Sequence, residues 1–231
     1  MDYPKHDYKE YPRTLPADDF WGQVRRTVHG KPVAPEQIRL IVEAIRAHLA
    51  LRAGDVCLDL ACGNGYLSSH LYGDCASLLG VDFSPYLIEV AKKHFERPPH
   101  YRFVLKDAAS YVREEADPRR FNKVLCYGSF SYFSADDAMA TLATLSERFV
   151  NVERVLIGNL PDKDRADRFY ANAGERPADM SNAASQIGVW RSVAEWEELA
   201  RQTGWRVTIT HMPADFYAAH YRFDAVLTRQ T

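Results

Sequence analysis

The sequence has no long apolar segment. Over its 231 residues, no apolar run approaches the roughly 18 residues that a membrane-spanning helix needs. The first ten residues carry three acidic side chains and lack the apolar core of a secretory signal peptide. We therefore expect a cytoplasmic protein that does not act at a membrane.

Metal-binding cysteine patterns and a large excess of one charge are also missing. Cys57, Cys62, Cys75 and Cys126 form no CxxC pair and have no flanking histidine that would complete a zinc site. We interpret them as reduced thiols and predict no metal ion. The chain has 29 Lys and Arg residues and 31 Asp and Glu residues, so its net charge of -2 gives no electrostatic reason to bind nucleic acid.

The overall composition is that of a folded protein. Hydrophobic residues make up 46% of the chain and charged residues 26%, which is close to the globular average and excludes a disordered or fibrous chain. A chain of this length is long enough to bury the core of one α/β domain. We therefore predict a single domain over residues 1–231.

From Pro35 onward, apolar runs alternate with stretches of helical periodicity. An apolar stripe predicts a helix over 35–51, and two later helices carry start signals, an N-cap at Ser84 and a capping box of Ser192 and Glu195. Strands are predicted at 56–60, 78–82, 101–106, 123–127, 155–158, 205–211 and 221–228. The first five strands alternate with helices, which indicates a parallel sheet. Only a loop joins the last two, which predicts an antiparallel hairpin.

The strongest local signal is a tight turn directly after the first of these strands. Its sequence is Asp59-x-Ala61-x-Gly63-Asn64-Gly65, and a helical stretch follows it. The two glycines let the backbone approach a ligand where a Cβ atom would block it. Their spacing alone does not distinguish a nicotinamide nucleotide from another adenosine cofactor. Asp59 ends an apolar strand, so it either contacts the ligand, directly or through water, or braces the loop.

Acidic residues follow the next two strands. Asp82 can accept hydrogen bonds from both ribose hydroxyls of an adenosine, and its charge disfavours a ribose phosphate. Asp107, followed by Ala108, can accept a hydrogen bond from the adenine amino group. The alternative is that both acids only favour the helix N-termini at which they lie. Because parallel strands share one carboxyl edge, we expect the turn and the two acids to form one adenosine site.

These residues resemble the class I S-adenosylmethionine-dependent methyltransferases, in particular those that act on small molecules. The resemblance spans about residues 54–228 and rests on the turn, on Asp82, on the pair Asp107-Ala108 and on the terminal hairpin. It implies an α/β fold with a Rossmann-like, seven-stranded, mostly parallel sheet, helices on both faces and a C-terminal antiparallel hairpin.

The resemblance also implies how the cofactor, S-adenosyl-L-methionine, is bound. The turn cradles the methionine part, Asp82 holds the ribose and Asp107 meets the adenine. Phe83 packs on the adenine, and the backbone near Tyr127 faces the methionine amine. Ala61 is a small replacement at a position where glycine is usual. The implied cofactor-binding residues are Asp59, Ala61, Gly63, Asn64, Gly65, Asp82, Phe83, Asp107, Ala108 and Tyr127.

The predicted domain has four parts. They are an N-terminal arm and cap helix (1–50), a cofactor-binding half (51–160), an insertion or lid (161–191), and a terminal helix and hairpin (192–231). The N-terminal arm, residues 1–34, and the insertion are rich in aromatic residues, as expected of a cover that projects over the cofactor and a small, partly apolar acceptor. The alternative is that these rings only pin the two segments to the core.

The predicted activity is methyl transfer to an oxygen or nitrogen of a small metabolite by in-line displacement, with S-adenosyl-L-homocysteine as the product. An alcohol acceptor needs a general base, for which His29, His211 and a tyrosine of the lid are the candidates. A carboxylate, phosphonate or free amine needs none. The sequence does not choose between O- and N-methylation.

Three other functions stay open at this point. They are methylation of protein or RNA, S-adenosylmethionine binding without methyl transfer, and a nicotinamide-dependent oxidation that Asp107 and the hairpin disfavour. We expect a monomer or homodimer with a small-molecule acceptor and no nucleic-acid partner.

Overall fold

The computed structural model describes residues 5–28 and 30–230, so the base candidate His29 lies outside the described residues. In the N-terminal arm, two strands of two residues each, β1 (Thr27–Val28) and β2 (Lys31–Pro32), pair antiparallel. The strands of the large sheet are β3 (Val56–Leu60), β4 (Ser77–Asp82), β5 (Tyr101–Leu105), β6 (Lys123–Tyr127), β7 (Arg154–Pro161), β8 (Trp205–Thr210) and β9 (Arg222–Arg229).

Helices connect most of these strands. The α-helices are α1 (Lys5–Glu10), α2 (Phe20–Gln23), α3 (Pro35–Leu49), α4 (Tyr66–Ser69), α5 (Pro85–His94), α6 (Ala108–Glu114), α7 (Ala135–Arg148), α8 (Ala166–Ala173) and α9 (Val193–Gln202). Short 3-10 helices lie at Tyr11–Thr14, Pro118–Arg120, Phe130–Tyr132 and Lys163–Arg165. No described helix is both long enough and apolar enough to cross a membrane.

The large sheet has the strand order β5-β4-β3-β6-β7-β9-β8. The first five strands in this order are parallel, and β9 lies antiparallel between β7 and β8. The predicted seven-stranded sheet with a C-terminal antiparallel hairpin is therefore confirmed. The chain adds β4 and β5 on one side of β3, and β6 and β7 on the other. A crevice opens at the carboxyl ends of strands where the order reverses in this way, and ligands commonly bind there.

The strand register brings the predicted site residues to one edge of the sheet. Asp59 lies opposite Gly80 of β4 on one side and Leu125 of β6 on the other. Asp82 lies opposite Leu105 at the end of β5. The carboxyl ends of β3, β4, β5 and β6 therefore lie side by side, beside the crevice.

Apolar side chains cover both faces of the sheet. On one face, Val112 of α6, Leu142 of α7 and Trp196 of α9 belong to the same buried cluster. On the other face, α3 buries Ile41 and Ile45 in a second cluster. The layers are thus helix, sheet and helix, as expected when crossover helices cover a parallel sheet on both sides.

Local sequence signals mark the helix ends. The capping box is present, with both hydrogen bonds between Ser192 and Glu195 formed, and the Ser84 hydroxyl accepts the first-turn hydrogen bond of α5. Helix α3 begins as predicted but ends at Leu49, two residues earlier than expected. It ends there because Ala50 adopts a left-handed conformation, with φ of 48°, which terminates the helix.

Two segments contain regular structure that the periodicity does not predict. In the N-terminal arm, the four-residue helix α2 buries Gln23 completely, and tertiary contacts rather than an apolar stripe hold it. In the insertion, β7 continues to Pro161, and the 3-10 helix Lys163–Arg165 leads directly into α8. Helices of four to eight residues are too short to show the period from which helices are predicted.

Two glycines make room for the buried ring of Phe103 beneath the predicted ligand-binding turn. A Cβ atom at Gly80 would lie 2.5 Å from Cδ1 of this ring, and a Cβ atom at Gly65 would lie 2.5 Å from its Cζ. Phe103 is 2% exposed, so the ring has no free space into which it can move. The absence of side chains at these two positions therefore sets how closely β4, β5 and the turn approach each other.

We predict that Gly80→Ala lowers the free energy of unfolding by about 1–3 kcal/mol, because the added methyl group overpacks the core. Gly54→Ala is the matched control, since a Cβ atom there has no heavy atom within 4 Å. Its effect should stay within about 0.5 kcal/mol. Denaturant titration of the three proteins measures the difference. Equal stability of the Gly80 and Gly54 variants would contradict the proposed packing.

Candidate functional site

A pocket of about 1090 Å³, its open mouth included, lies at the carboxyl ends of the four neighbouring strands. Its walls come from the loops after these strands and from the N-terminal arm. The lining residues are Tyr8, Trp21, Val24, Arg26, Asp59, Ala61, Cys62, Gly63, Asn64, Leu67, Asp82, Phe83, Leu87, Asp107, Ala108, Ala109, Tyr127, Gly128, Ser129, Tyr132, Phe133 and Asp137. Nine of the ten predicted cofactor-binding residues are therefore in one pocket.

The exception is Gly65, which does not line the pocket. It is the left-handed N-cap of α4, with φ of 73°, and its missing side chain makes room for Phe103. Gly63, with φ of 61°, does line the pocket. A Cβ atom there would lie 2.8 Å from the Val24 side chain of the arm. The two glycines of the turn thus have different tasks: Gly65 allows packing below the turn, and Gly63 allows the arm to approach above it.

The carboxylate of Asp82 connects two loops of the pocket. Its Oδ2 accepts a hydrogen bond from the Gly63 amide and its Oδ1 accepts one from the Ser84 amide, each at 2.9 Å. Burial raises the pKa of Asp82 to about 6, although the amides of Ser84, Gly63 and Phe83 oppose this shift. The nearby charge of Asp107 contributes a smaller part of the same rise.

Asp59 is 3% exposed and faces the same pocket. Its Oδ2 accepts a hydrogen bond from the Ser68 hydroxyl of α4 at 2.6 Å. Burial raises the pKa of Asp59 to about 7, the Ser68 hydrogen bond lowers it, Asp82 raises it and Arg26 lowers it. Asp59 therefore braces the helix after the turn, and it also adds to the negative potential of the pocket.

Asp107 and Phe83, the predicted adenine-binding residues, also line the pocket. Asp107 lines the pocket and is also the N-cap of α6, where its Oδ1 accepts a hydrogen bond from the Ser110 amide at 3.2 Å. Helix capping and a place in the pocket are therefore compatible at this residue. Phe83 and Ala108 form the adjoining wall, and the Lys9 ammonium lies 5.9 Å from the centre of the Phe83 ring.

Asn64 was expected to bind the cofactor, but its amide group is used by the arm. Its Nδ2 donates hydrogen bonds to the Phe20 carbonyl at 2.8 Å and to the Gln23 side chain at 2.9 Å. Its Oδ1 accepts a hydrogen bond from the Tyr66 amide at 3.2 Å. The side chain is 1% exposed, so these contacts fix the arm to the turn across a buried interface.

The N-terminal arm supplies four lining residues, Tyr8, Trp21, Val24 and Arg26. Tyr8 and Trp21 are among the aromatic residues expected to cover the site, whereas sequence reasoning did not single out Val24 and Arg26. The arm therefore forms part of the pocket wall. The insertion contributes none of the described lining residues and packs instead on the segment after β6. There, the Val189 amide donates to the Ser131 carbonyl at 2.7 Å, and the Tyr132 hydroxyl donates to the Gln186 carbonyl at 2.9 Å.

The structure does not bring the base candidate His211 into the pocket. Its ring lies 6.2 Å from the Phe223 ring, in the neighbourhood of Arg165 and Asp162, and burial lowers its pKa. None of the described residues that line the pocket is a histidine. Within the described part of the chain, no group of three or more His, Cys, Asp or Glu residues could hold a metal ion.

Comparison with known proteins finds methyltransferases that are similar to part of this chain. A family model described as a methyltransferase domain matches residues 57–149, a range that includes the turn, Asp82 and Asp107. The ubiquinone biosynthesis O-methyltransferase of Schizosaccharomyces pombe is 37% identical over 78 residues, which are 32% of this chain and 27% of that protein. The magnesium-protoporphyrin O-methyltransferase of Rhodobacter capsulatus is 32% identical over 93 residues, or 39% of each chain. The chain thus spans less than half the length of these two curated relatives.

Solved structures extend the similarity to the whole fold. The magnesium protoporphyrin IX methyltransferase of Synechocystis, determined with bound S-adenosylhomocysteine, superposes with a TM-score of 0.62. The superposition covers 99% of this chain and 96% of that one, at 15% sequence identity. A methyltransferase from Leishmania major gives a TM-score of 0.67 at 15% identity, and covers 97% of this chain and 82% of that one. This chain therefore has the fold of the class I S-adenosylmethionine-dependent methyltransferases, and its residues 57–149 match the methyltransferase-domain model.

Proposed function

We propose that this protein transfers the methyl group of S-adenosyl-L-methionine to an oxygen or nitrogen atom of a small-molecule acceptor. The observation that carries the proposal is the pocket itself, in which the glycine turn and the acids of three successive strand ends line one crevice. Two curated relatives that match parts of the chain are named O-methyltransferases, which supports a small acceptor.

The pocket residues fit the cofactor in the order of the strands. Asp107 at β5 suits the adenine amino group, and Asp82 at β4 suits the ribose hydroxyls. The Asp82 carboxylate can accept further hydrogen bonds besides the two from the Gly63 and Ser84 amides, because an ionised carboxylate has about four lone-pair sites. The turn after β3 and Tyr127 at the end of β6 are left for the methionine part. A ligand with positive charge suits this site, since burial destabilises the ionised forms of Asp59 and Asp82.

The acceptor side of the pocket is aromatic. Tyr8 of the arm and Tyr132 after β6 both line it, and their ring centres are 6.4 Å apart. We assign to these rings and to Phe133 the tasks of excluding water and of orienting the acceptor. The S-adenosylmethionine sulfonium supplies an electrophilic methyl group, so alignment of the nucleophile is the main requirement. An acceptor that is already an anion, or that is a free, unprotonated amine, needs no base from the described lining.

The experiment that tests the proposal incubates the purified protein with S-adenosylmethionine and a panel of phenols, carboxylic acids and amines. Formation of S-adenosylhomocysteine that depends on the acceptor is the expected result. A protein and an RNA fraction in the same panel test the two macromolecular alternatives. Tight binding of S-adenosylmethionine with no turnover on any member would favour a binding role without methyl transfer. Absence of binding would overturn the proposal.

We predict that Asp82→Asn weakens S-adenosylhomocysteine binding by about 10- to 100-fold, because a charged hydrogen-bond acceptor for the ribose is lost. Asp136→Asn is the matched control, since Asp136 is an exposed acid in the first turn of α7. Isothermal titration calorimetry of both variants and the wild type gives the ratio. An unchanged dissociation constant in Asp82→Asn would contradict the ribose assignment.

We also predict that cofactor affinity falls as the pH drops from about 8 to about 5.5. In the ligand-free protein the pKa of Asp59 is raised to about 7 and that of Asp82 to about 6. The ligand binds the ionised forms, so protons that bind at lower pH compete with it. The loss should exceed about tenfold over this range, and calorimetry in buffers of different ionisation enthalpy should show proton release on binding at pH near 6. A pH-independent affinity would count against the role of these carboxylates.

A further inference from the structure

Arg26 of the N-terminal arm is a cation, and two of its side-chain donor atoms have no hydrogen-bond partner. Its guanidinium lies 5.1 Å from the centre of the Tyr127 ring and 5.9 Å from that of Trp21. Its Nε and Nη1 atoms are buried and have no hydrogen-bond partner. Buried donors on a charged group are costly when they are unpaired, so a missing acceptor is expected at this place.

The backbone on both sides holds Arg26 in this position. Its amide donates to the Trp21 carbonyl at 2.9 Å, and its carbonyl accepts from the Val33 amide at 3.1 Å. The charge of Arg26 lowers the pKa of Asp59, yet neither Nε nor Nη1 is hydrogen-bonded to that carboxylate. The Asp59 carboxylate is therefore not the hydrogen-bond acceptor for these two donors of Arg26.

A second donor points toward the same space. Gly128, directly after β6, has φ of 83°, and a Cβ atom there would lie 3.5 Å from Arg26 Nη2 and 3.5 Å from Asn159 Nδ2. Asn159 lies in the bulge of β7, and its backbone N–H donates a hydrogen bond to Asp224 Oδ1 at 2.7 Å. Glycine at position 128 thus keeps open a notch that a guanidinium and a carboxamide flank.

The charges of the pocket are arranged along its length. Among the described lining residues Arg26 is the one cation, whereas Asp59, Asp82, Asp107 and Asp137 are acids. The proposed cofactor has a single anionic group, the α-carboxylate, at the end of the methionine part that is furthest from adenine. If the adenine lies at β5 and the ribose at β4, that carboxylate lies beyond β3, next to β6. Arg26 and the Gly128 notch are at that end of the row.

We propose that Arg26, with Asn159 beside it, binds the α-carboxylate of S-adenosylmethionine and so selects it over adenosyl-sulfur compounds that lack this group. The inference rests on the proposed function, because it takes the cofactor and its direction in the pocket from there. The proposal also gives the arm a role in cofactor binding. Asn64 fixes the arm to the turn, and Arg26 of the arm places a positive charge in the site.

The test compares two ligands on each protein by calorimetry, S-adenosylhomocysteine and its decarboxylated analogue, which keeps the amine and lacks only the carboxylate. Wild-type protein should prefer the complete ligand by about 10- to 100-fold. In Arg26→Gln this preference should disappear because only the complete ligand loses affinity. Arg26→Lys keeps the charge without the two-pronged geometry and should retain part of the preference. Asn159→Gly removes the side-chain carboxamide but still allows the left-handed backbone conformation. It should reduce the preference by a smaller factor than Arg26→Gln does.

Arg25→Gln is the control for damage to the arm. Arg25 is exposed, pairs with Asp7 at 2.6 Å and does not line the pocket. Its loss should leave the ratio of the two affinities unchanged, even if a looser arm weakens both ligands. Thermal unfolding of the ligand-free variants reports folding, and Arg26→Lys replaces Arg26→Gln if the latter does not fold.

Three results would overturn the inference, and each has a separate signature. Equal weakening of both ligands by Arg26→Gln would mean that Arg26 only holds the arm. Unchanged affinity for S-adenosylhomocysteine together with a raised acceptor KM would mean that the guanidinium serves an anionic acceptor. No preference of the wild type for the carboxylate-bearing ligand would mean that Arg26 does not bind the carboxylate. Failure of the wild type to bind either ligand is a different outcome, which removes the proposed function on which the inference rests.

Discussion

The pair of hydrogen bonds that the Asp82 carboxylate accepts is the constraint on which the rest of the site depends. One bond reaches back to the Gly63 amide after β3 and the other reaches forward to the Ser84 amide before α5. The carboxylate thus links the turn after β3 to the loop after β4, next to the backbone hydrogen bond that the Cys62 amide donates to the Val81 carbonyl at 3.0 Å. The cost is a buried charge, which raises the pKa of Asp82 to about 6 and makes the site favourable for a ligand that donates hydrogen bonds or carries positive charge.

The N-terminal arm is part of the site rather than an appendage to it. Asn64 of the turn binds the arm through Phe20 and Gln23, and the absence of a side chain at Gly63 lets Val24 approach the turn. The arm in turn brings Arg26, the one cation among the described lining residues, into the pocket. A ligand in this pocket would therefore contact two segments far apart in sequence, and its binding energy would favour the docked arm.

The sheet and the carboxyl-edge acids could be predicted from sequence because each leaves a local trace. The strands are continuous apolar runs, Ser192 and Glu195 form a capping box, and Asp82 and Asp107 directly follow strands. Gly65 and Asn64 were predicted as cofactor contacts because their motif has that role in the family. Only the tertiary structure reveals that Gly65 makes room for Phe103 and that Asn64 binds the arm. Arg26 was missed for the same reason, since one arginine in a polar segment has no pattern until the fold buries it.

The most direct test of the account is a crystal structure of the protein with bound S-adenosylhomocysteine. The account predicts adenine beside Asp107, both ribose hydroxyls on the Asp82 carboxylate, and the α-carboxylate within hydrogen-bond distance of Arg26 above Gly128. A ligand bound in the reverse direction, or outside this pocket, would contradict the assignment of every residue in the row from β5 to β6.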